Sequence, residues 1–482
     1  MTLGVTTRWV RDSTVRIDYK RNTVLGGSPL KLMKLTDRGI AVIERLTGLP
    51  GGRPSPASGI GVAPTGLSRA EVALVDRLVD SGLIHSVPEP GQGPYGVSNV
   101  TIVIPVKDDP TRLAALIDEI NRTTPGIAGV VVVDDGSVIP VELPVQEFDI
   151  PVRVIRRDTN GGPARARMDG LEAVETEIVA FVDVDCTPTE GWLELLLGHF
   201  ADGRVVVAAP RIAATPIATR RSGHHQSWLG PFLEDYDGRH SPLDLGVEPA
   251  RVFPGTRVSY VPSAALVARS SAVRERGGFD PELRFGEDVD LIWRLAESGE
   301  RIRYDPRAVL HHEVRPKLWS WLRQRFSYGS SAAPLAKRHG DSVAPVNISR
   351  WSLAVWLLIA AGNRRAALSI AGLSALLFVR KVPGCSTGEV TRIVGAGHLG
   401  AGRQLATTLV RVWWPIAFAA SVVSKRARRI VATAVLWQII DHHPQTPVDV
   451  VLGLADDMAY GAGVSVGCVR ERSATALRPK LS

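Results

Sequence analysis

Ile178-Val-Ala-Phe-Val-Asp183-Val-Asp185 is a five-residue apolar run that ends on two carboxylates one residue apart. Consecutive apolar residues without polar alternation predict a strand buried on both faces. The acids then fall on the turn leaving the strand, where their oxygens can hold a divalent cation. A D-x-D alone arises by chance in a chain of 482 residues and is then a solvated turn, so its neighbours decide its meaning.

Working outward, VTIVIPV (100–106), a helix from Thr111, VVVVDD (130–135), VRVI (152–155) and a helix near Pro163 to Val174 precede the run. This alternation predicts a parallel α/β sheet whose strands are buried on both faces, with the ligand crevice at their carboxyl ends. Those ends are acidic: Lys107-Asp108-Asp109, Asp134-Asp135-Gly136-Ser137 and Asp183-Val-Asp185. Carboxylates gathered at one edge are costly unless cations or donors compensate, and a nucleotide with a metal-bound diphosphate would do so. Arg157-Asp-Thr-Asn160-Gly161-Gly162-Pro-Ala-Arg165-Ala-Arg167 supplies donors and cations at a helix start, although a glycine pair there is in isolation only a turn. Downstream, Gly277-Gly278-Phe279-Asp280 and Gly286-Glu287-Asp288-Val289-Asp290-Leu291 enter another helical pattern. An acid at a helix mouth is either an N-cap or a base, and the residues alone leave both readings open.

Length and composition frame this centre. The 482 residues, 45% hydrophobic and 22% charged, predict two or three globular domains. The net charge of +8 comes without a recognition-helix, zinc-finger or RNA-stacking motif, so nucleic acid is not an expected partner. Cys186, Cys385 and Cys468 are too widely spaced for zinc or redox pairs and suit a reducing cytosol, and the opening residues lack a secretory apolar core. Residues 1–87 read as a small unit: strand-like runs at Trp9 to Asp18 and Asn22 to Leu25, a helix capped by Thr36, a Gly/Pro loop from Gly48 to Gly66, and a second helix opened by the capping box Ser68-Arg-Ala-Glu71, with Gly82 as its stop. Residues 88–98 form a Pro/Gly linker, and 99–331 hold the α/β domain. Residues 332–482 are helical and apolar, but charges interrupt every run before the roughly 18 residues that a bilayer span needs. The basic run KRARR (425–429) beside apolar helices suits an anionic membrane surface, and a buried helical subdomain or oligomer contact is the alternative.

VIPVKDD, DDGS, NGGPARAR, FVDVD, GGFD and GEDVDL occur in the order and spacing that resemble inverting family 2 glycosyltransferases of GT-A fold, over residues 99–330. The resemblance implies a donor-nucleotide set of Pro105, Val106, Asp108, Asp109, Asp134, Asp135, Asn160, Gly162, Arg165, Arg167 and Asp183. It implies Mg²⁺ or Mn²⁺ on Asp183, Asp185 and His311, with His312 as the rival histidine, and Asp288, beside Glu287, as the catalytic base.

The first 87 residues also resemble a peptide-recognition winged helix, with a generic winged helix or dimerisation cap as the alternative. The whole chain is similar to mycofactocin-system glycosyltransferases. That likeness implies transfer of β-linked glucose, as one sugar or a short chain, from UDP-glucose to the peptide-derived redox cofactor mycofactocin or its precursor. The cysteine usage and the opening residues point to a cytoplasmic enzyme, and the apolar helices beside KRARR make the inner face of the cell membrane a second expected location. Two other readings stand beside it: a membrane-surface transferase of cell-envelope glycan or glycolipid, and a peptide-binding adaptor that has lost activity.

Overall fold

The computed structural model describes residues 7–48, 67–142, 148–216, 229–313, 317–382 and 385–482. Most of the expected Gly48–Gly66 loop lies outside them. The chain divides into two compact units, Met1–Ser222 with Asp237–Val314, and Gly223–Tyr236 with Arg315–Ser482.

The first unit begins with β1 (Thr7–Arg11), β2 (Arg16–Asp18), β3 (Thr23–Gly26), β4 (Lys31–Lys34), α1 (Asp37–Thr47), α2 (Arg69–Asp80) and β5 (Ile84–Pro88). Both helix starts follow local chemistry. Thr36 accepts from Gly39 N, and Ser68 and Glu71 satisfy each other's free donors. Trp9, Ile43, Leu46 and Leu78 close the core between them. The sequence reading missed β4, whose Lys-Leu-Met-Lys is too short to show a period and whose lysines blunt the edge of the β2-β3-β4 sheet.

The elements that follow are β6 (Val100–Val106), α3 (Pro110–Thr123), β7 (Gly129–Asp134), β8 (Val152–Arg156), α4 (Pro163–Glu172), β9 (Ile178–Val182), β10 (Cys186–Pro188), α5 (Trp192–Leu197), β11 (Val205–Ala214), α6 (Gly230–His240), β12 (Ala250–Arg251), β13 (Ala265–Arg269), α7 (Ser270–Glu275), α8 (Glu287–Glu297) and β14 (Arg301–His312). They build one nine-stranded sheet in the order β10-β14-β11-β13-β9-β6-β7-β8, with β12 on β14. β9, β6, β7 and β8 are mutually parallel, as read from the sequence. The sheet as a whole is mixed, because β13 runs antiparallel to both β9 and β11. β6, β7 and β9 are buried, but β8 is largely exposed: it is an edge strand, and Arg153 and Arg156 interrupt its valines and isoleucine. At the start of β14, Arg301 ties the N-terminal elements to the sheet, at 2.9 Å from Asp76, 2.8 Å from Asp80 and 2.6 Å from Asp202.

The second unit holds α9 (Leu318–Ser330), α10 (Ala332–His339), β15 (Asn347–Ile348), α11 (Arg350–Ala360), α12 (Arg364–Lys381), α13 (Thr387–Arg411), α14 (Trp414–Val423), α15 (Lys425–Asp441), α16 (Pro447–Arg470) and β16 (Lys480–Leu481). α9 and α16 approach at backbone distance, since a Cβ at Gly463 would overlap the carbonyl of Phe326. Arg325 pairs with Asp456 at 3.1 Å and Arg411 with Asp457 at 2.6 Å inside this unit. No single helix among the described residues is long and apolar enough to cross a membrane. α13 and α14 together pass that test but are bent by 86° where they meet.

Candidate functional site

The carboxyl ends of β9, β6 and β7 lie side by side in the sheet, so the three acidic turns meet at one edge. Asp108 takes a positive φ of 53°, its N–H donates to Ser137 Oγ at 2.8 Å, and its carboxylate accepts from Val138 N at 2.7 Å. Asp109 caps α3 by accepting from Arg112 N. Pro105 is half-buried and Val106 buried at the end of β6, where Val106 O accepts from Asp135 N.

The DDGS aspartates are spent on the protein itself. Asp134 is 1% exposed and accepts from Ser137 N, Val141 N and Arg156 at 2.9, 3.1 and 2.6 Å. Burial opposes its ionisation, but the donors of Ser137, Val141 and Arg156 outweigh it and hold the carboxyl below its ordinary value. Asp135 accepts from Gly161 N and Gly162 N, each at 2.8 Å, and pairs with Arg157 at 3.0 Å. Asp134 therefore shapes the turn from beneath. A surface nucleotide contact, expected of it from the motif, does not suit its burial. Gly162, with φ 85°, starts α4, and Asn160 accepts from its N–H. Arg165 is exposed on α4, whereas Arg167 is 3% exposed.

Arg167 connects the two remaining motifs. It donates from Nη2 to Asp183 at 2.6 Å and from Nη1 to Glu287 at 2.9 Å. Asp183 leaves β9. Burial pushes its carboxyl upward, Arg167 pulls it down, and Asp185 pushes it up again, with a net rise. Glu287 is 6% exposed at the start of α8, and burial and Asp288 raise it to about 7 against the pull of Arg167. Asp288 follows it, with one oxygen 3.3 Å from Ser263 N and the other accepting from Val289 N at 2.8 Å; burial raises it too. Glu287 of the ED pair is thus joined to the D-x-D through one guanidinium, and Asp288 is the next residue of α8.

The two candidate histidines sit differently. His312 Nε2 lies 3.3 Å from Asp185, whereas His311 Nδ1 is buried without a hydrogen-bond partner. Adjacent residues of β14 point to opposite faces, so the two imidazoles diverge, and the one that reaches Asp185 is His312. Burial opposes protonation of His312, but Asp185 outweighs it and raises the imidazole above its ordinary value.

Sequence reasoning missed Arg112, which bridges Asp109 and Glu313 at 2.8 Å each and so links the loop after β6 to the end of β14. Its only local signal was an arginine three residues after a capping aspartate.

Among the described residues no three His, Cys, Asp or Glu side chains already enclose a cation position. Asp183, Asp185 and His312 nevertheless offer the oxygen and imidazole donors that suit a hard divalent ion, which commonly takes its other ligands from substrate phosphates and water.

The family model described as "Glycosyl transferase family 2" matches residues 101–272. The "Pre-mycofactocin glycosyltransferase" of Mycobacterium tuberculosis (strain ATCC 25618 / H37Rv) is 38% identical over 500 residues, covering 98% of this chain and 97% of that protein. A "Probable N-acetylgalactosaminyltransferase 9" of Caenorhabditis elegans is 26% identical over 217 residues, covering 41% of this chain and 36% of that one. Among solved structures, the mannosyltransferase PcManGT from Pyrobaculum calidifontis in complex with GDP-Man and Mn²⁺ aligns with a TM-score of 0.45 at 14% identity, over 80% of this chain and 90% of that one.

Proposed function

Because the chain belongs to glycosyl transferase family 2, within the mycofactocin system, we propose that it transfers glucose from UDP-glucose to the mycofactocin precursor with inversion, giving a β-linked sugar or short chain. The observation that carries this reading is the Arg167 fork, which brings the D-x-D carboxylate Asp183 and the ED carboxylate Glu287 to one place.

An acceptor hydroxyl is a weak nucleophile, so a positioned carboxylate must take its proton as the oxygen attacks the anomeric carbon. Asp288 fills that role: the backbone donors of Ser263 and Val289 fix its carboxylate beside Glu287. Asp183, Asp185 and His312 would hold Mg²⁺ or Mn²⁺, which when bound neutralises charge on the departing diphosphate. Arg165, exposed at the start of α4, adds a cation for the same phosphates. Attack opposite the leaving group needs no covalent enzyme intermediate and inverts the anomeric centre. The N-terminal elements would recognise a peptide-derived acceptor, and the enzyme would work in the cytoplasm.

Incubation with UDP-glucose, Mn²⁺ and the mycofactocin precursor should release UDP and add hexose mass to the precursor. UDP release with no hexose on the precursor would overturn the acceptor. A second reading, a transferase at the inner membrane surface acting on glycolipid, is supported by exposed Leu357, Phe418 and Val423 and by the basic run Lys425 to Arg429. Label recovered only in the lipid extract would select it.

A further inference from the structure

We infer that Arg167 is a positioning residue that holds Asp183 and the acid pair Glu287–Asp288 in one fixed arrangement, and that it is not a ligand of the diphosphate. The inference rests on the donor-and-base reading above and deepens it. An exposed arginine at a helix start can pair with phosphate, and Arg165 is exposed there. Arg167 is not, because its side chain turns inward and is 4% exposed.

Both ends of its fork are already committed, Nη1 to Glu287 at 2.9 Å and Nη2 to Asp183 at 2.6 Å. The guanidinium carbon lies 5.6 Å from the centre of the Phe279 ring, and Phe279 packs edge-on against Phe181 of β9 at 5.0 Å between ring centres. Each Nη keeps a second N–H and Nε is buried without a hydrogen-bond partner, but a side chain only 4% exposed presents none of these donors to a diphosphate at the surface. Asp183 sits at the exit of β9 and Glu287 at the entry of α8, so the guanidinium is a direct strut between the two elements. Without it, Asp183, Glu287 and Asp288 would stand together as unbalanced anions, and like charges held this close repel. Lysine cannot replace the strut, since an ammonium is a point charge and the planar fork spans two partners at once.

The test uses the full chain with UDP-glucose, acceptor and Mn²⁺. Turnover is measured for R167K, R167A, E287M and the double variant R167A/E287M, and UDP affinity without metal is measured separately by calorimetry. Misplaced reacting groups cost about 100-fold in rate. R167K and R167A should therefore lose about 100-fold in kcat while the UDP Kd stays within about threefold, and added guanidinium should restore part of the R167A loss. The double variant should lose little more than either single one, because both cut the same strut. A rise of about tenfold in UDP Kd with kcat retained would make Arg167 a diphosphate ligand and overturn the inference, as would unchanged kcat, or losses that multiply in the double variant. Should the Arg167 variants not fold, E287M keeps the side-chain length and removes the acceptor of one arm alone, and full kcat there overturns the inference equally. Absence of turnover and of UDP binding in the unmodified protein would instead bring down the functional reading itself.

Discussion

Nε2 of His312 lies 3.3 Å from Asp185, while the neighbouring His311 pairs through its backbone with Thr187 of β10. The imidazole beside the second aspartate of the D-x-D is therefore the one that a bound cation would meet. H312A should raise the Mn²⁺ concentration for half-maximal UDP release by about tenfold or more, the range seen when a group supporting a metal site is removed. H311A should shift it much less. A titration in which H311A has the larger effect would restore the assignment made from the motif.

Asp288 stands beside Glu287 and is held by two backbone donors. Removing a general base typically costs about 100- to 10,000-fold in rate. D288N should lose turnover on that scale while UDP still binds in the presence of Mn²⁺; D183N should lose both. Equal turnover in D288N and the unmodified protein would remove the base from this position.

Arg301 is 4% exposed and satisfies Asp76, Asp80 and Asp202 at once. Removing one partner of a buried ion pair costs about 3–5 kcal/mol, mostly because the opposite charge is left without compensation. Asp76 and Asp80 are about a third exposed, which lets water screen them, so R301M should cost about 3 kcal/mol or less in urea unfolding. Proteolysis should then open the N-terminal elements first. Unchanged unfolding would show that this contact contributes nothing to cohesion.

His85 and Asp12 are buried 3.0 Å apart, with Arg257 3.2 Å from the same Asp12 oxygen. Burial pushes His85 below its ordinary value, more strongly than Asp12 raises it. For Asp12, burial opposes ionisation, but donors from His85 and Thr14 outweigh it and hold the carboxyl well below the usual carboxylate range. Both folded values lie below the unfolded ones, so both groups bind more protons in the unfolded chain. Their contribution is complete above the unfolded values and is lost on acidification, starting for His85 below roughly pH 6.5 and for Asp12 below roughly pH 4. The urea midpoint should hold between about pH 7 and 8 and fall below about pH 6, with H85Q flattening the upper part of that fall. A midpoint that rises on acidification would contradict the buried neutral histidine.

Much of the first unit was legible because its signals are local. Thr36 and Ser68 cap the helices expected of them, since a side-chain oxygen reaching a free N–H within three residues needs no distant partner. The runs at 100–106 and 178–182 are the buried strands that their unbroken apolarity implies. Gly170 was not singled out, although a Cβ there would overlap Val103 Cγ1 and lift α4 away from β6. Nothing adjacent to it in the chain announces that contact, because Val103 lies on another element.

The candidate site divides the same way. The chain alone determined that acids end three strands, because hydrophobic runs and the turns that stop them are properties of consecutive residues. Tertiary structure decided that Asp134 is sealed beneath its loop, that Arg167 turns inward to Asp183 and Glu287, and that His312 meets Asp185. Each of these outcomes depends on which face of an element is covered and on the register between strands. Pairing energies between residues far apart in the chain set both, and composition and spacing do not encode them.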